Sequence, residues 1–68
     1  MEITVSVSDL LSRIREISSD GMDFVTLSVI DADAEDDLPA ALMFEAWSKS
    51  ASFMSTQYDS IDAAEASN

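Results

Sequence analysis

Residues 20–31 read DGMDFVTLSVID, and the spacing of apolar residues changes from helical to extended within this stretch. Gly21 is the only glycine of the chain and can adopt the left-handed conformation that ends a helix. From residue 23 onward, Val25, Leu27 and Val29 alternate with polar residues in a segment rich in β-branched side chains. The stretch therefore predicts the end of a helix followed by a strand over residues 23–31.

The segment before Gly21 has the pattern of an amphipathic helix. Ser6 and Asp9 have the spacing of a capping box, in which a side chain satisfies the first backbone N–H groups. Asp9 also precedes Arg13 by four residues, which predicts an exposed ion pair. These signals and the apolar stripe predict a helix over residues 7–19. The stripe consists of Val7, Leu10, Leu11, Ile14 and Ile17.

An acidic loop and a second strand follow. Repulsion among the carboxylates of residues 31–37, together with Pro39, predicts an open, exposed loop. Residues 41–48 read ALMFEAWS, and we interpret this alternating run as a strand. A helix over residues 38–50 is the alternative, because most of these residue types favour helices. The carboxylates of the acidic loop are Asp31, Asp33, Glu35, Asp36 and Asp37.

The two ends of the chain have weaker patterns. Residues 2–5 are long enough for a short edge strand beside residues 23–31, and residues 53–58 are compatible with a further strand. We expect one small domain over residues 1–58 and a frayed acidic tail over residues 59–68. The predicted fold class is α+β: one amphipathic helix packed on a small, mainly antiparallel sheet of two to four strands, in the order β-α-β-β with a possible last strand.

Composition limits the chemistry that this chain can perform. Its 68 residues include 14 Asp or Glu against 3 Lys or Arg, a net charge of -11, and neither His nor Cys. Acid-base catalysis near neutral pH most often uses His, and disulfides need Cys. One glycine is too few for a Walker A loop or a dinucleotide-binding fingerprint. We therefore expect a protein that is not an enzyme and holds no cofactor.

Part of the acidic loop has the ligand spacing of a calcium site. Asp31, Asp33 and Glu35 match the first three ligands of an EF-hand loop. Asp36 then stands where that loop has Gly, and Leu42 where it has a bidentate Glu. A solvated loop is the favoured interpretation and no metal ligand is assigned. Weak divalent-cation binding is kept as an alternative function.

Apolar residues occur on both faces of the two predicted central strands. If Val25, Leu27 and Val29 face the helix, their neighbours face away from it, and one helix cannot cover both sides of a sheet. Either another segment or solvent covers the second face, or its residues form a contact patch. Self-association would also relieve the small core of so short a chain. The candidate interaction residues are Phe24, Ile30, Met43 and Trp47.

Charge and hydropathy shape the functional prediction. Nucleic-acid affinity comes mostly from Lys and Arg, so we expect no direct nucleic-acid binding. No run approaches the roughly 18 apolar residues of a membrane span, so we expect no membrane partner and a cytoplasmic location. A carboxylate-rich surface can attract a basic protein. We predict a non-enzymatic acidic protein-interaction module, homodimeric, whose partner is itself or a protein with a basic surface. A DNA-mimic inhibitor of a nucleic-acid-binding protein is the alternative.

Overall fold

The architecture is one helix followed by a meander of antiparallel strands. The computed structural model describes residues 2–51 and 53–64. Its elements are α1 (Val7–Ser19), β1 (Phe24–Ile30), β2 (Ala41–Trp47), a short 3-10 helix (Lys49–Ala51) and β3 (Thr56–Asp62). The sheet order is β1-β2-β3, and both pairings are antiparallel. The predicted α+β class is confirmed, whereas the order β-α-β-β is wrong, because the helix comes first.

Helix α1 begins where the sequence predicts. The Ser6 side chain accepts a hydrogen bond from the backbone N–H of Asp9 at 3.3 Å, which caps the helix start. The predicted ion pair between Asp9 and Arg13 is wrong, because the Arg13 guanidinium lies against Glu16. Residues three and four apart are both neighbours on a helix surface, and here the three-residue spacing forms the pair.

The end of α1 is also predicted correctly. Gly21 has a φ of 80°, in the left-handed region. Its N–H donates to the carbonyl of Ser18 at 3.0 Å, and the N–H of Met22 donates to the carbonyl of Ile17 at 3.3 Å. This double hydrogen bond is a Schellman motif. Met22 then packs against the core, which turns the chain from the helix into β1.

Strand β2 settles the ambiguity of residues 41–48 in favour of the strand, and the alternative helix over residues 38–50 is wrong. Pairing with β1 places Leu27 opposite Phe44 and Val29 opposite Leu42. Because β2 lies between β1 and β3, sheet partners on both sides satisfy its backbone groups. Tertiary pairing of the alternating apolar residues therefore outweighs the intrinsic preference of Ala, Leu, Met and Glu for helices.

Strand β3 extends further than the sequence predicts. The prediction ended the strand at Tyr58, but it continues to Asp62. Residues 59–62 of the expected acidic tail are therefore part of the sheet, and the boundary at residue 58 is corrected. Residues 65–68 of that tail lie outside the described residues.

An irregularity in β3 explains why its pattern is weak. Phe44 lies opposite Tyr58 and Leu42 opposite Ile61, so the register shifts by one residue at Met43. Such a β-bulge places two residues of one strand opposite one residue of its neighbour. Tyr58 and Ile61 both pack with the core although they are three residues apart. A strand with this spacing has no simple period of two.

The N-terminal residues 2–5 do not form the predicted edge strand beside β1. Ile3 and Val5 pack against the core instead. The carbonyl of Thr4 accepts a hydrogen bond of 2.8 Å from the N–H of Ala64, just beyond β3. The N-terminal segment therefore lies beside the end of β3, which leaves β1 as an edge of the sheet.

The buried core is small and centres on β2. Phe44 is 1% exposed and Ala46 is fully buried, while Ile17 is the one buried residue that α1 contributes. Helix α1 makes more contacts with β3 than with either of the other two strands. It consequently leaves the β1 side of the sheet poorly covered. The buried residues are Ile17, Ala41, Leu42, Phe44, Ala46 and Ile61.

Candidate interaction surface

The face of the sheet directed away from α1, called the outer face below, carries all four candidate interaction residues. Residues directly opposite each other in an antiparallel sheet share a face. The register pairs Phe24 with Trp47 and Ser28 with Met43. Because side chains alternate along a strand, these four residues point away from the face that carries the core residues of β2. The outer-face residues of β1 and β2 are Phe24, Thr26, Ser28, Ile30, Ala41, Met43, Glu45 and Trp47.

One end of the outer face is aromatic. The ring centroids of Phe24 and Trp47 are 6.0 Å apart, with an angle of 36° between the ring planes. This separation is within the range of attractive aromatic pairs. Trp47 is half-buried, while Phe24 remains 49% exposed. The two rings therefore form an apolar surface that is accessible to solvent.

The other end of the outer face borders the acidic loop. An open groove of about 380 Å³ lies there, lined by four apolar residues and by Asp31, Asp33 and Asp62. Ile30 is 47% exposed and Ala41 is buried, so the groove opens above a well-packed part of the sheet. Met43, half-buried, lies between this end and the aromatic pair. The apolar residues that line the groove are Ile30, Leu38, Pro39 and Ala41.

The acidic loop is exposed, as predicted, but it is not open. Asp33 and Leu38 exchange two backbone hydrogen bonds of 2.8 and 2.9 Å across a tight turn. The Asp33 carboxylate accepts hydrogen bonds from the N–H groups of Glu35 and Asp36, at 3.0 and 3.4 Å. Asp37 adopts a φ of 55°, which completes the turn. Local hydrogen bonding of Asp to the backbone outweighs the repulsion that predicted an open loop.

The acidic loop does not assemble a cation site in the structure. Within residues 2–51 and 53–64, no three Asp or Glu side chains converge as metal ligands. Asp33, which the EF-hand spacing would use as a ligand, turns one carboxylate oxygen toward the backbone of its own loop. Loop positions 31, 33 and 35 therefore share a spacing with calcium sites without sharing their geometry.

Negative charge is also distributed outside the acidic loop. Every Asp and Glu among the described residues is exposed. Asp9 and Glu16 of α1 and Asp62 of β3 line an open groove of about 410 Å³ together with Arg13. The ion pair between Arg13 and Glu16 neutralises only part of this charge. Exposed carboxylates therefore lie on the helix and on the sheet as well as on the loop.

A hydrogen bond connects β3 to the end of α1. The Tyr58 hydroxyl donates to the Asp20 carboxylate at 2.7 Å. This hydrogen bond, with smaller contributions from partial desolvation and from the charges of Asp20 and Glu16, raises the pKa of Tyr58 from 10.0 to about 12. The phenol therefore remains protonated across the physiological pH range and holds the helix end against β3.

The sequence interpretation missed a second exposed apolar region, on the helix side of the sheet. Leu27 is 53% exposed and Leu11 is 46% exposed, although both belong to the patterns that predicted the core. Ile14 is 39% exposed and lines a groove between α1 and β1. Periodicity identifies the face on which a residue lies, but it does not show how far the helix extends across that face.

No protein-family model, curated protein or solved structure matches the chain. Within the part of the chain that the structure describes, no helix combines the length and the apolar character that a membrane crossing requires.

Proposed function

We propose that this chain is a non-enzymatic acidic protein-interaction module that binds a protein with a basic surface. The observation that carries the proposal is the outer face, where a solvent-accessible aromatic pair lies on a sheet surrounded by exposed carboxylates. Aromatic residues and Met are enriched at the cores of interfaces, and a charged rim accelerates encounter with an oppositely charged partner. The outer face provides the apolar contact and the acidic residues provide the attraction.

The distribution of residues supports a binding role over a catalytic one. The outer-face side chains of β1 and β2 are apolar or hydroxylic except for Glu45, which accepts a hydrogen bond from Ser55 at 2.9 Å. The grooves are open, so they do not create the dry environment that shifts a catalytic pKa. A surface of this type suits binding by shape and charge.

Capture experiments with matched variants test the proposal. The immobilised chain is exposed to lysate of the source cell in low-salt and high-salt buffer, beside Trp47→Ala and the control Phe53→Ala. Phe53 is 85% exposed and lies outside the outer face, so its loss controls for general apolar exposure. We expect a protein with a basic surface to be captured by the unmodified chain and by Phe53→Ala, and far less by Trp47→Ala. Equal capture by all three, or no basic protein in low salt, would contradict the proposal.

A DNA-mimic inhibitor is the second candidate, and one observation favours it. The carboxylates are not confined to the acidic loop, because Asp9, Glu16 and Asp62 line another groove together with Arg13. Mimicry of a phosphate backbone requires charge distributed in this way along a surface. The test is competition: under this second proposal, a captured partner would bind duplex DNA and would be displaced by it. A partner indifferent to excess DNA would exclude mimicry and leave the interaction module intact.

A further inference from the structure

We infer that the chain forms a two-fold symmetric dimer in which β1 pairs antiparallel with β1 of a second copy, centred on Leu27. The inference rests on the proposed role as an interaction module, and it identifies one partner and the geometry of contact. Pairing in this way joins two three-stranded sheets into one sheet of six strands.

The edge of β1 is open for pairing. In the part of the chain that the structure describes, no strand lies on the far side of β1, so a row of backbone groups faces outward. The strand FVTLSVI has seven residues, none of them charged, and contains neither Pro nor Gly. Natural proteins usually protect such an edge with charge, Pro or a bulge, because it otherwise pairs with another chain. An unprotected edge of this length is a surface built for pairing.

The sequence of β1 is nearly symmetric about its centre, which selects a second copy as the partner. Antiparallel pairing centred on Leu27 places Leu27 opposite its own equivalent and Val25 opposite the second copy's Val29. It also places Thr26 opposite the second copy's Ser28. Pairs of β-branched residues and Thr–Ser pairs both stabilise antiparallel sheets. Each of these two pairs occurs twice, once on either side of the two-fold axis, as in an isologous interface.

The outer positions of β1 follow the same symmetry. Phe24 would lie opposite the second copy's Ile30, and an aromatic residue beside a β-branched one is a favourable cross-strand pair. Both residues are about half exposed in the single chain, as is Leu27 on the opposite face. Pairing would cover apolar surface on both sides of the sheet at once. It would also unite the two outer faces into one larger surface around the aromatic pairs.

The flanks of β1 limit the strength of the dimer. In the same register, Asp23 lies opposite the second copy's Asp31 at each end of the paired strands. Like charges opposite each other weaken a sheet, and salt screens them. Seven strand residues are also fewer than the roughly 20 residues per side of a standard interface. The dimer should therefore dissociate on dilution and become stronger in high salt.

The assembly closes at two chains because the other edge of each sheet is different. Strand β3 carries Asp59 and Asp62 and is bent by its bulge. Charge and bulges both discourage edge pairing. Two chains joined through β1 therefore expose only protected edges, and growth into a fibre is not expected.

Disulfide trapping tests the register, because the natural chain contains no Cys. Residues directly opposite in an antiparallel pair have Cα atoms about 4.5 to 5.5 Å apart, within the range for a disulfide. Leu27→Cys should therefore form a covalent dimer in a glutathione buffer, at least about 10-fold faster than the control Ser60→Cys on β3. Circular dichroism of each variant confirms that it is folded.

A mixture of two variants gives an independent test of the register. Chains with Thr26→Cys should crosslink to chains with Ser28→Cys in preference to their own kind, because identical positions would be about 8 Å apart. Equal rates for Leu27→Cys and Ser60→Cys, or crosslinking of the mixture without preference, would overturn the inference. Capture of a basic protein depends on Trp47, so its persistence in that case would leave the proposed function standing without the dimer.

Discussion

The two edges of the sheet, β1 and β3, have the same length but different protection. Strand β1 has no charged residue, whereas β3 carries Asp59 and Asp62 and contains a bulge. The N-terminal segment, which the sequence would have placed beside β1, lies at the end of β3 instead. A protein that needed two solvent-exposed edges would be expected to protect both. The difference supports the inference that a second copy covers β1 while β3 stays exposed.

The largest expected effect is a loss of stability when a core residue is removed from β2, the strand that pairs with both edge strands. Phe44 is 1% exposed in the central strand, and Phe44→Ala should lower the free energy of unfolding by about 3 to 5 kcal/mol. A domain of this size has only about 3 to 10 kcal/mol of stability in all, so this substitution should remove a large part of it. Denaturant titration measures the loss, with Phe53→Ala as the exposed control. Equal stability of the two variants would mean that β2 is not the core strand.

A charge introduced at the centre of β1 shows directly whether the two edges differ in their role in dimerisation. Leu27→Lys should weaken the dimer on the order of 100-fold, because two apolar contacts are lost and two cations face each other across the symmetry axis. The substitution lowers the net negative charge, so general repulsion between chains cannot explain the loss. Gln57→Lys makes the same change of charge on β3 and should leave the dimer intact. Sedimentation measures both, and equal weakening by both substitutions would remove the distinction between the edges.

A substitution in the turn that leads from α1 into β1 should have a smaller effect on stability. Gly21 has a φ of 80°, and no atom lies within 4 Å of the position that an added Cβ would occupy. Gly21→Ala therefore costs only backbone strain, about 1 kcal/mol, and should lower the melting temperature by roughly 4–8 °C. Ser19→Ala, in the last helical turn, serves as the control. An unchanged melting temperature for Gly21→Ala would show that the turn can relax without a left-handed residue.

Removing the hydrogen bond that connects β3 to α1 should have the smallest effect on stability, and this effect should depend on pH in a characteristic way. The folded state raises the pKa of Tyr58 to about 12, against about 10 for an unfolded chain. The stabilisation is therefore complete below pH values of about 10 and is lost as the pH rises through about 12. The unmodified chain should be more stable than Tyr58→Phe at neutral pH, and this difference should vanish at the alkaline end. Ultraviolet absorption of the phenolate measures the pKa, and a value near 10 in the folded chain would contradict the hydrogen bond. Because Tyr58 belongs to the β3 side, Tyr58→Phe should leave dimerisation unchanged.

Local signals in the sequence were sufficient for α1, its two caps, β1 and β2. Ser6 and Gly21 act through hydrogen bonds to residues at most five positions away, so their sequence spacing contains the information. The pairing of Arg13 with Glu16 was not predicted, because a helix surface offers several partners at similar cost. Charge repulsion alone does not predict the closed turn around Asp33, because hydrogen bonding of the Asp33 carboxylate to the backbone outweighs it.

Nonlocal features could not be read from the sequence. The bulge in β3 depends on its pairing with β2, and it hides the alternation that would identify the strand. Residues 2–5 could lie beside either edge strand, and the sequence pattern does not indicate which of the two they reach. For the candidate surface, alternation placed Phe24, Ile30, Met43 and Trp47 on one face, while the exposure of Leu27 depends on the position of the helix across the sheet.

Hydrogen exchange of the two edge strands at several protein concentrations tests the central claim most directly. Amide groups on the open side of β1 should be protected at high concentration and lose protection on dilution, while those on the open side of β3 exchange rapidly throughout. The mass by sedimentation should fall over the same range from twice 7.4 kDa to 7.4 kDa. Rapid exchange of both edges at every concentration, with a constant mass of 7.4 kDa, would contradict the claim that β1 is built to be covered by a second copy.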